Sequence, residues 1–223
     1  SPGDGVLMFE TGHFAAMWGD VARRLGLEVE FLPGDWRRAV DPAALQACLE
    51  ADREGRIKAV LVAQVDTASG VVNDIPAIRA AMDKAGHDAL LMVDAVASLA
   101  TMAFEMDAWG IDVAVSGSQK GLMMSPGLGF VAANDKALGV HAKVGLRSRY
   151  WDWTQRAGDE HYQKYCGTAP EHMMFGLRRS LDMLLAEGLE GAIARHATLA
   201  EAVRRAAAVW AEGGAFDFNI TKP

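Results

Sequence analysis

What most constrains the fold of this 223-residue chain is a regular exchange between two hydrophobic periods. Short, mainly apolar runs at Val6–Phe9, Val29–Leu32, Ile57–Val65, Ala89–Val93, Asp112–Ser116 and Gly129–Ala133 read as strands. Between them, apolar residues recur every three or four positions. Phe14, Met17, Trp18, Val21, Ala22 and Leu25 share one helical face, and Gly26 supplies a stop. A helix over Pro42–Ala51 opens with Asp41 as N-cap and proline in its first turn, and Ile75–Ala85 reads as another. Glu171–Glu187 and Leu189–Glu212 read as two long helices separated by Gly188. Strands that lack a polar face are stable only when covered on both sides. The expected class is therefore α/β, a three-layer sandwich with a mostly parallel sheet flanked by helices.

Charge and composition narrow the function classes. A net charge of −7 disfavours a nucleic-acid or anionic-membrane surface, since both need a basic face. No apolar run approaches the roughly 18–20 residues of a membrane span, and no signal-peptide pattern opens the chain. The two cysteines, Cys48 and Cys166, are too few for a disulfide framework, and the six histidines show no metal spacing, so no metal site is expected. The cytoplasm fits this profile best. Ser1-Pro2-Gly3-Asp4 leads straight into an apolar run, and Phe216–Ile220 reads as the start of a further strand, so the chain reads as the middle of a longer protein.

Ligands in open α/β sheets bind beyond the carboxyl ends of the strands. Three such ends carry polar groups: Asp66-Thr67, Asp94 and Gln119-Lys120. Asp94 closes the run Leu90-Leu91-Met92-Val93, where a carboxylate is costly without a cationic or hydrogen-bonding partner. That segment alone leaves two readings open: a helix cap or loop aspartate, and an anion that keeps a ligand's ring nitrogen protonated. Lys120 follows the small residues Ser116-Gly117-Ser118, which leave room for a bulky ligand near the backbone. Alone it reads as an exposed lysine; in a desolvated pocket it would be nucleophilic toward a carbonyl. An aspartate at one strand end and a lysine at the next together suit a pyridine-type cofactor.

At these residues the sequence resembles a known family. Val93-Asp94-Ala95-Val96-Ala97-Ser98-Leu99, Ser116-Gly117-Ser118-Gln119-Lys120-Gly121-Leu122 and Pro126-Gly127 are similar to the class V aminotransferases of fold type I, in particular the alanine–, serine– and aspartate–glyoxylate subgroup. The similarity runs from Pro2 to about His196. It implies pyridoxal 5′-phosphate as cofactor, with Lys120 as the Schiff-base lysine and proton carrier and Asp94 paired with the pyridinium nitrogen. Phe14 falls where the family has a ring-stacking tryptophan. By the same resemblance Thr67 bonds near the phenolic oxygen and Gln119 lies on the phosphate side. Tyr165 and Thr168 reach the phosphate of the neighbouring subunit, which implies a homodimer with shared active sites. Gln64 and Asp66 depart from the histidine and glutamate expected there. The resemblance also implies a cofactor-binding large domain over residues 1–187, then a connecting helix and the start of a small domain over 188–223.

The implied reaction is transamination from alanine, serine or aspartate to a 2-oxo acid such as glyoxylate. Desulfuration on the same fold is the alternative, but its members carry histidine before the lysine, where this chain has Gln119. A non-catalytic binding module or nicotinamide-binding domain is a remote third reading, because no glycine fingerprint follows the first strand. Trp18, Trp36 and Trp109 read as packing residues, Cys166 as a buried spectator and His172 as a helix cap. Tyr150-Trp151-Asp152-Trp153 reads as an interface or mouth segment.

Overall fold

The computed structural model describes residues 1–145, 147–214 and 216–220. Six strands form one sheet: β1 (Gly5–Phe9), β2 (Glu28–Leu32), β3 (Ile57–Ala63), β6 (Leu90–Asp94), β7 (Val113–Gly117) and β8 (Gly129–Ala133). Their order is β2-β1-β3-β6-β7-β8. All neighbours run parallel except β7 and β8, which form an antiparallel edge. The expected α/β class and mostly parallel sheet are as observed.

Alternation along each strand builds two cores. Leu7 and Phe9 of β1, Val60 and Val62 of β3, and Leu91 and Val93 of β6 point to one face. There they meet Leu45 and Leu49 of α2 (Pro42–Ala51) and Ile75, Ile78 and Met82 of α3 (Ile75–Ala85). Several of these side chains are fully buried, and each stabilises the fold by about 1.5–3 kcal/mol. Val6, Met8, Ala59 and Leu61 point the other way, onto Ala22 and Trp18 of α1 (His13–Arg24). Helix α1 crosses the sheet closely at Gly19, where a Cβ would lie 2.4 Å from the Phe31 ring.

Local signals explain most boundaries. The Asp41 carboxylate accepts from Ala43 N–H at 2.9 Å, and that of Asp74 accepts from Ala77 N–H at 2.9 Å, each with proline in the first turn. Gly86 ends α3 in the left-handed region at φ 62°.

Five expectations need correction. The run Ile57–Val65 is not one strand: β3 stops at Ala63, and Val65–Asp66 (β4) turns back on Val71–Val72 (β5) as a separate hairpin. Gln64 sits at the break, donating its N–H to Asp94 O and accepting from Asn73 N–H, so its backbone is shared between two partners. Phe216–Ile220 is not a strand either; Asn219 instead donates to the carbonyls of Trp36 and Ser69. Cys166 is half-buried rather than buried, and ends α6 (His161–Tyr165) at φ 56°. His172 makes no capping bond at the start of α7 (Glu171–Glu187). Trp18 and Trp109 do pack on the cores, whereas Trp36 is exposed. The short helices α4 (Asp135–His141) and α5 (Trp153–Arg156), α6, and the β4–β5 hairpin were not evident from periodicity.

Candidate active site

Because β1, β3, β6 and β7 are parallel neighbours, their carboxyl ends share one edge of the sheet. Ala63 pairs with Asp94, and Asp94 with Val115, two residues before the end of β7. The β1 end leads to Phe14, the β3 end to Gln64, Asp66 and Thr67, the β6 end to Asp94, and the β7 end to Gln119 and Lys120. The strands that lead to these residues are neighbours in the sheet.

Asp94 is half-buried, and among the described residues its carboxylate takes one hydrogen bond, from Val96 N–H to Oδ1 at 2.8 Å. Among the described residues no cation forms a salt bridge with it. Burial pushes its carboxyl above the ordinary range; the Val96 N–H pulls it back, and the negative charge of nearby Asp66 adds to the rise. Such a carboxylate can accept a further hydrogen bond from a cationic donor.

Lys120 lies exposed in the turn after β7. Its carbonyl accepts from Met123 N–H at 2.8 Å, and Ser118 closes the loop by donating to Ser125 O and accepting from Leu128 N–H. Gly121 sets that loop against the turn after Asp94, because a Cβ there would lie 2.1 Å from Leu99 O. Only a residue without a side chain permits this approach. Ser116 reaches back to Ala95 O at 3.4 Å, and Ala95 N–H donates to Val115 O at 2.8 Å. The loops bearing Asp94 and Lys120 are thus laced together.

Helix α7 buttresses the same loop from outside. Ser180 donates to Leu122 O, and Met173 and Gly176 pack on Gly127 and Met124. Leu122, Leu184, Ala100 and Ala192 form a third buried cluster, which ties in α8 (Leu189–Glu212).

Phe14, the second residue of α1, is 42% exposed and meets His13 edge-on. Thr67 is exposed on the β4–β5 turn. Gln119 is exposed and folds its carbonyl over Gly117, where a Cβ would lie 2.6 Å away. Tyr165 and Thr168 stand apart: Tyr165 donates to Met174 Sδ at 3.8 Å, and no hydrogen bond among the described residues joins either one to the strand ends.

The side chains at this edge, a carboxylate (Asp94), an amine (Lys120), a hydroxyl (Thr67) and an amide (Gln119), offer donors and acceptors suited to a polar ring. Thr11 Oγ1, Gln64 Oε1 and Ser98 Oγ, which follow β1, β3 and β6, are buried without a partner among the described residues. Such groups are costly unless a polar ligand or water meets them.

Sequence reading missed the role of Asp66. Its fully buried carboxylate accepts from Phe14 and Ala15 N–H at the start of α1. The available signal was Gly12: a helix opening with no side-chain cap of its own needs an acceptor from elsewhere.

The profile of the family described as "Aminotransferase class-V" matches residues 1–207. The chain is 41% identical over 213 residues to a serine–glyoxylate aminotransferase of Methylorubrum extorquens, covering 93% of this chain and 53% of that protein. It is 41% identical over 210 residues to an L-aspartate–glyoxylate aminotransferase of Paracoccus denitrificans, covering 94% and 53%. Among solved structures it is similar to the alanine–glyoxylate aminotransferase of Nostoc sp., with TM-score 0.80 and 28% identity over 90% of this chain and 53% of that one. The chain spans about half the length of the curated relatives it matches. With the profile covering most of its length, the chain belongs to the class V aminotransferase family.

Proposed function

We propose that the protein carrying this chain transfers an amino group from alanine, serine or aspartate to a 2-oxo acid, glyoxylate in particular, using pyridoxal 5′-phosphate. The observation that carries the reading is the pair of adjacent strand ends bearing Asp94, a carboxylate with no cation beside it among the described residues, and Lys120, a lysine on a loop fixed by Gly121. The relatives named above, two of them glyoxylate aminotransferases at 41% identity, support the choice of reaction.

Bound pyridoxal 5′-phosphate supplies an electron-accepting ring that makes the substrate's α-proton acidic. Asp94 would accept the ring N–H and hold that nitrogen protonated, a role that the absence of a salt bridge to it among the described residues suits. Lys120 Nζ anchors the cofactor and moves the proton to and from the substrate α-carbon. Phe14 offers an aromatic platform, Thr67 a hydroxyl beside the phenolic oxygen, and Gln119 a ligand on the phosphate side.

Tyr165 and Thr168 serve the phosphate of a second subunit, so the enzyme is a homodimer with shared sites. Among the described residues neither one makes a hydrogen bond to the strand ends of its own chain, which supports this. Exposed Trp151, Tyr162 and Phe175 nearby in sequence support an interface there. Residues 1–187 form the cofactor domain, and 188–223 the connecting helix and the start of a small domain; 221–223 lie outside the described residues. Leu199, Val203 and Trp210, exposed along α8, fit a helix with a further neighbour. The cytoplasm is the compartment; no helix of the described residues is long and apolar enough to cross a membrane.

The test is titration of the whole protein with pyridoxal 5′-phosphate. A visible absorbance band that depends on Lys120 should appear, with amino-donor-dependent consumption of glyoxylate. A Lys120→Ala variant that keeps both the band and normal turnover overturns the reading. Release of sulfide from cysteine, without transamination, would replace it by desulfuration.

A further inference from the structure

Asp66 has no part in the chemistry proposed above, yet it is fully buried and engaged on both oxygens. Oδ2 accepts from Phe14 N–H at 2.9 Å and Ala15 N–H at 3.0 Å, across 52 and 51 residues of sequence. Oδ1 accepts from Ala68 N–H at 3.1 Å. One carboxylate therefore holds the first turn of α1 and the β4–β5 turn together. Ser69 adds a second tie between the same segments, donating to Thr11 O at 2.7 Å.

Gly12 makes this approach possible. It provides no cap of its own for α1, and a Cβ on it would lie 2.2 Å from Asp66 Cγ. Its φ of 169° is ordinary extended backbone, so the requirement there is for space. The geometry also selects a carboxylate over an amide. Three N–H donors converge on two oxygens at a helix N-terminus, where an anion is stabilised. An amide in the same place offers one oxygen, and its NH2 would confront a backbone donor.

The two segments joined by Asp66 carry Phe14 and Thr67. We infer that Asp66 is a positioning residue: by clasping the Phe14 backbone and the Thr67 turn in the space left by Gly12, it sets the ring platform and the ring hydroxyl contact as one unit. This rests on the proposed function, in which those two side chains meet the cofactor ring.

A helix cap with only a structural role would lower stability without coupling to Phe14 or Thr67. The experiment measures the dissociation constant of pyridoxal 5′-phosphate for the whole protein and for Asp66→Asn, Phe14→Ala, Thr67→Ala and the two double variants containing Asp66→Asn. Thermal melts and far-UV circular dichroism without cofactor accompany each. Asp66→Asn should weaken binding about tenfold, and in its background Phe14→Ala and Thr67→Ala should each have less than about half the fold-effect they have in the wild type. Gly12→Ala, which keeps the carboxylate but fills its space, should reproduce both results. Additive effects, or unchanged affinity in a folded Asp66→Asn protein, overturn the inference. So does loss of the fold in both Asp66→Asn and Gly12→Ala, because Asp66 then supports the chain rather than the site. If the wild type itself fails to bind, or Phe14→Ala and Thr67→Ala bind as it does, the proposed function fails and the inference with it.

Discussion

Asp94 is held at a cost to the fold. Its carboxyl is raised by burial first, lowered by the Val96 N–H, and raised again by the charge of Asp66. A carboxyl whose folded-state pKa exceeds its unfolded value supports folding below the unfolded value, and loses that support as pH climbs through the folded one. At neutral pH Asp94→Asn should therefore raise the melting temperature of the cofactor-free protein by a few degrees, with the gain shrinking toward acid pH. The same variant should bind pyridoxal 5′-phosphate at least about tenfold more weakly, and calorimetry with and without cofactor checks both halves. The strand-end positions of Asp94 and Lys120 were legible in the sequence, because Asp94 closes an apolar run and Lys120 follows the small residues after the next one. Asp66 was visible as a strand-end residue but not as a cap, since its partners are the N–H groups of a helix about fifty residues earlier.

Elements are pinned together by a second aspartate. Asp52, at the end of α2, accepts from Arg56 N–H at 3.0 Å and Ile57 N–H at 2.7 Å, which fixes the start of β3. Its Oδ2 also meets His87 Nε2 at 3.2 Å, beside the start of β6. Ala89 N–H points at His87 Nδ1 at 3.1 Å and can only donate, so the ring proton sits on Nε2 and is given to Asp52. Burial, the largest single influence, pushes the Asp52 carboxyl up, but the Ile57, Arg56 and His87 bonds outweigh it and leave its pKa lowered. Stability from this link is present above the unfolded pKa and fades as pH falls through the folded one. Asp52→Ala should cost on the order of 1–3 kcal/mol near neutrality, since the N–H of Ile57 loses its acceptor in a buried setting. Urea titrations of both proteins at several pH values check this, and the gap should close in acid. Boundaries set by local signals, such as Asp41-Pro42 and Gly86, were readable. The break of β3 at Gln64 was not, because Val65 continues the apolar run and only the pairing with Val71–Val72 diverts it.

At the scale of the whole molecule, α/β class and parallel order followed from alternation of periods. The antiparallel return of β8 did not, since an edge strand of five residues carries no sign of its direction. The proposed dimer makes a sharp demand. In a shared-site dimer, a Lys120→Ala subunit still lends Tyr165 and Thr168, and a Tyr165→Ala/Thr168→Ala subunit still lends Lys120. Mixed dimers then contain one intact site of the two, so unfolding and refolding the inactive variants together should restore activity that neither has alone. Absence of such complementation in dimers of verified mixed composition would place the complete site within one chain.

The strand order has a further consequence for the life of the protein. Phe14, Asp66, Asp94 and Lys120 hang from four strand ends that become neighbours only when β3 has entered between β1 and β6. An unfolded or partly docked chain offers no such grouping, so a ligand that needs all four recognises the folded state alone. Each tenfold excess of ligand over its dissociation constant then adds about 1.4 kcal/mol to the native side. Against a total of about 5–15 kcal/mol for a typical native protein, that is a large share. Under the proposed function, cofactor supply would therefore bear on how long the protein survives proteases, and not on its chemistry alone.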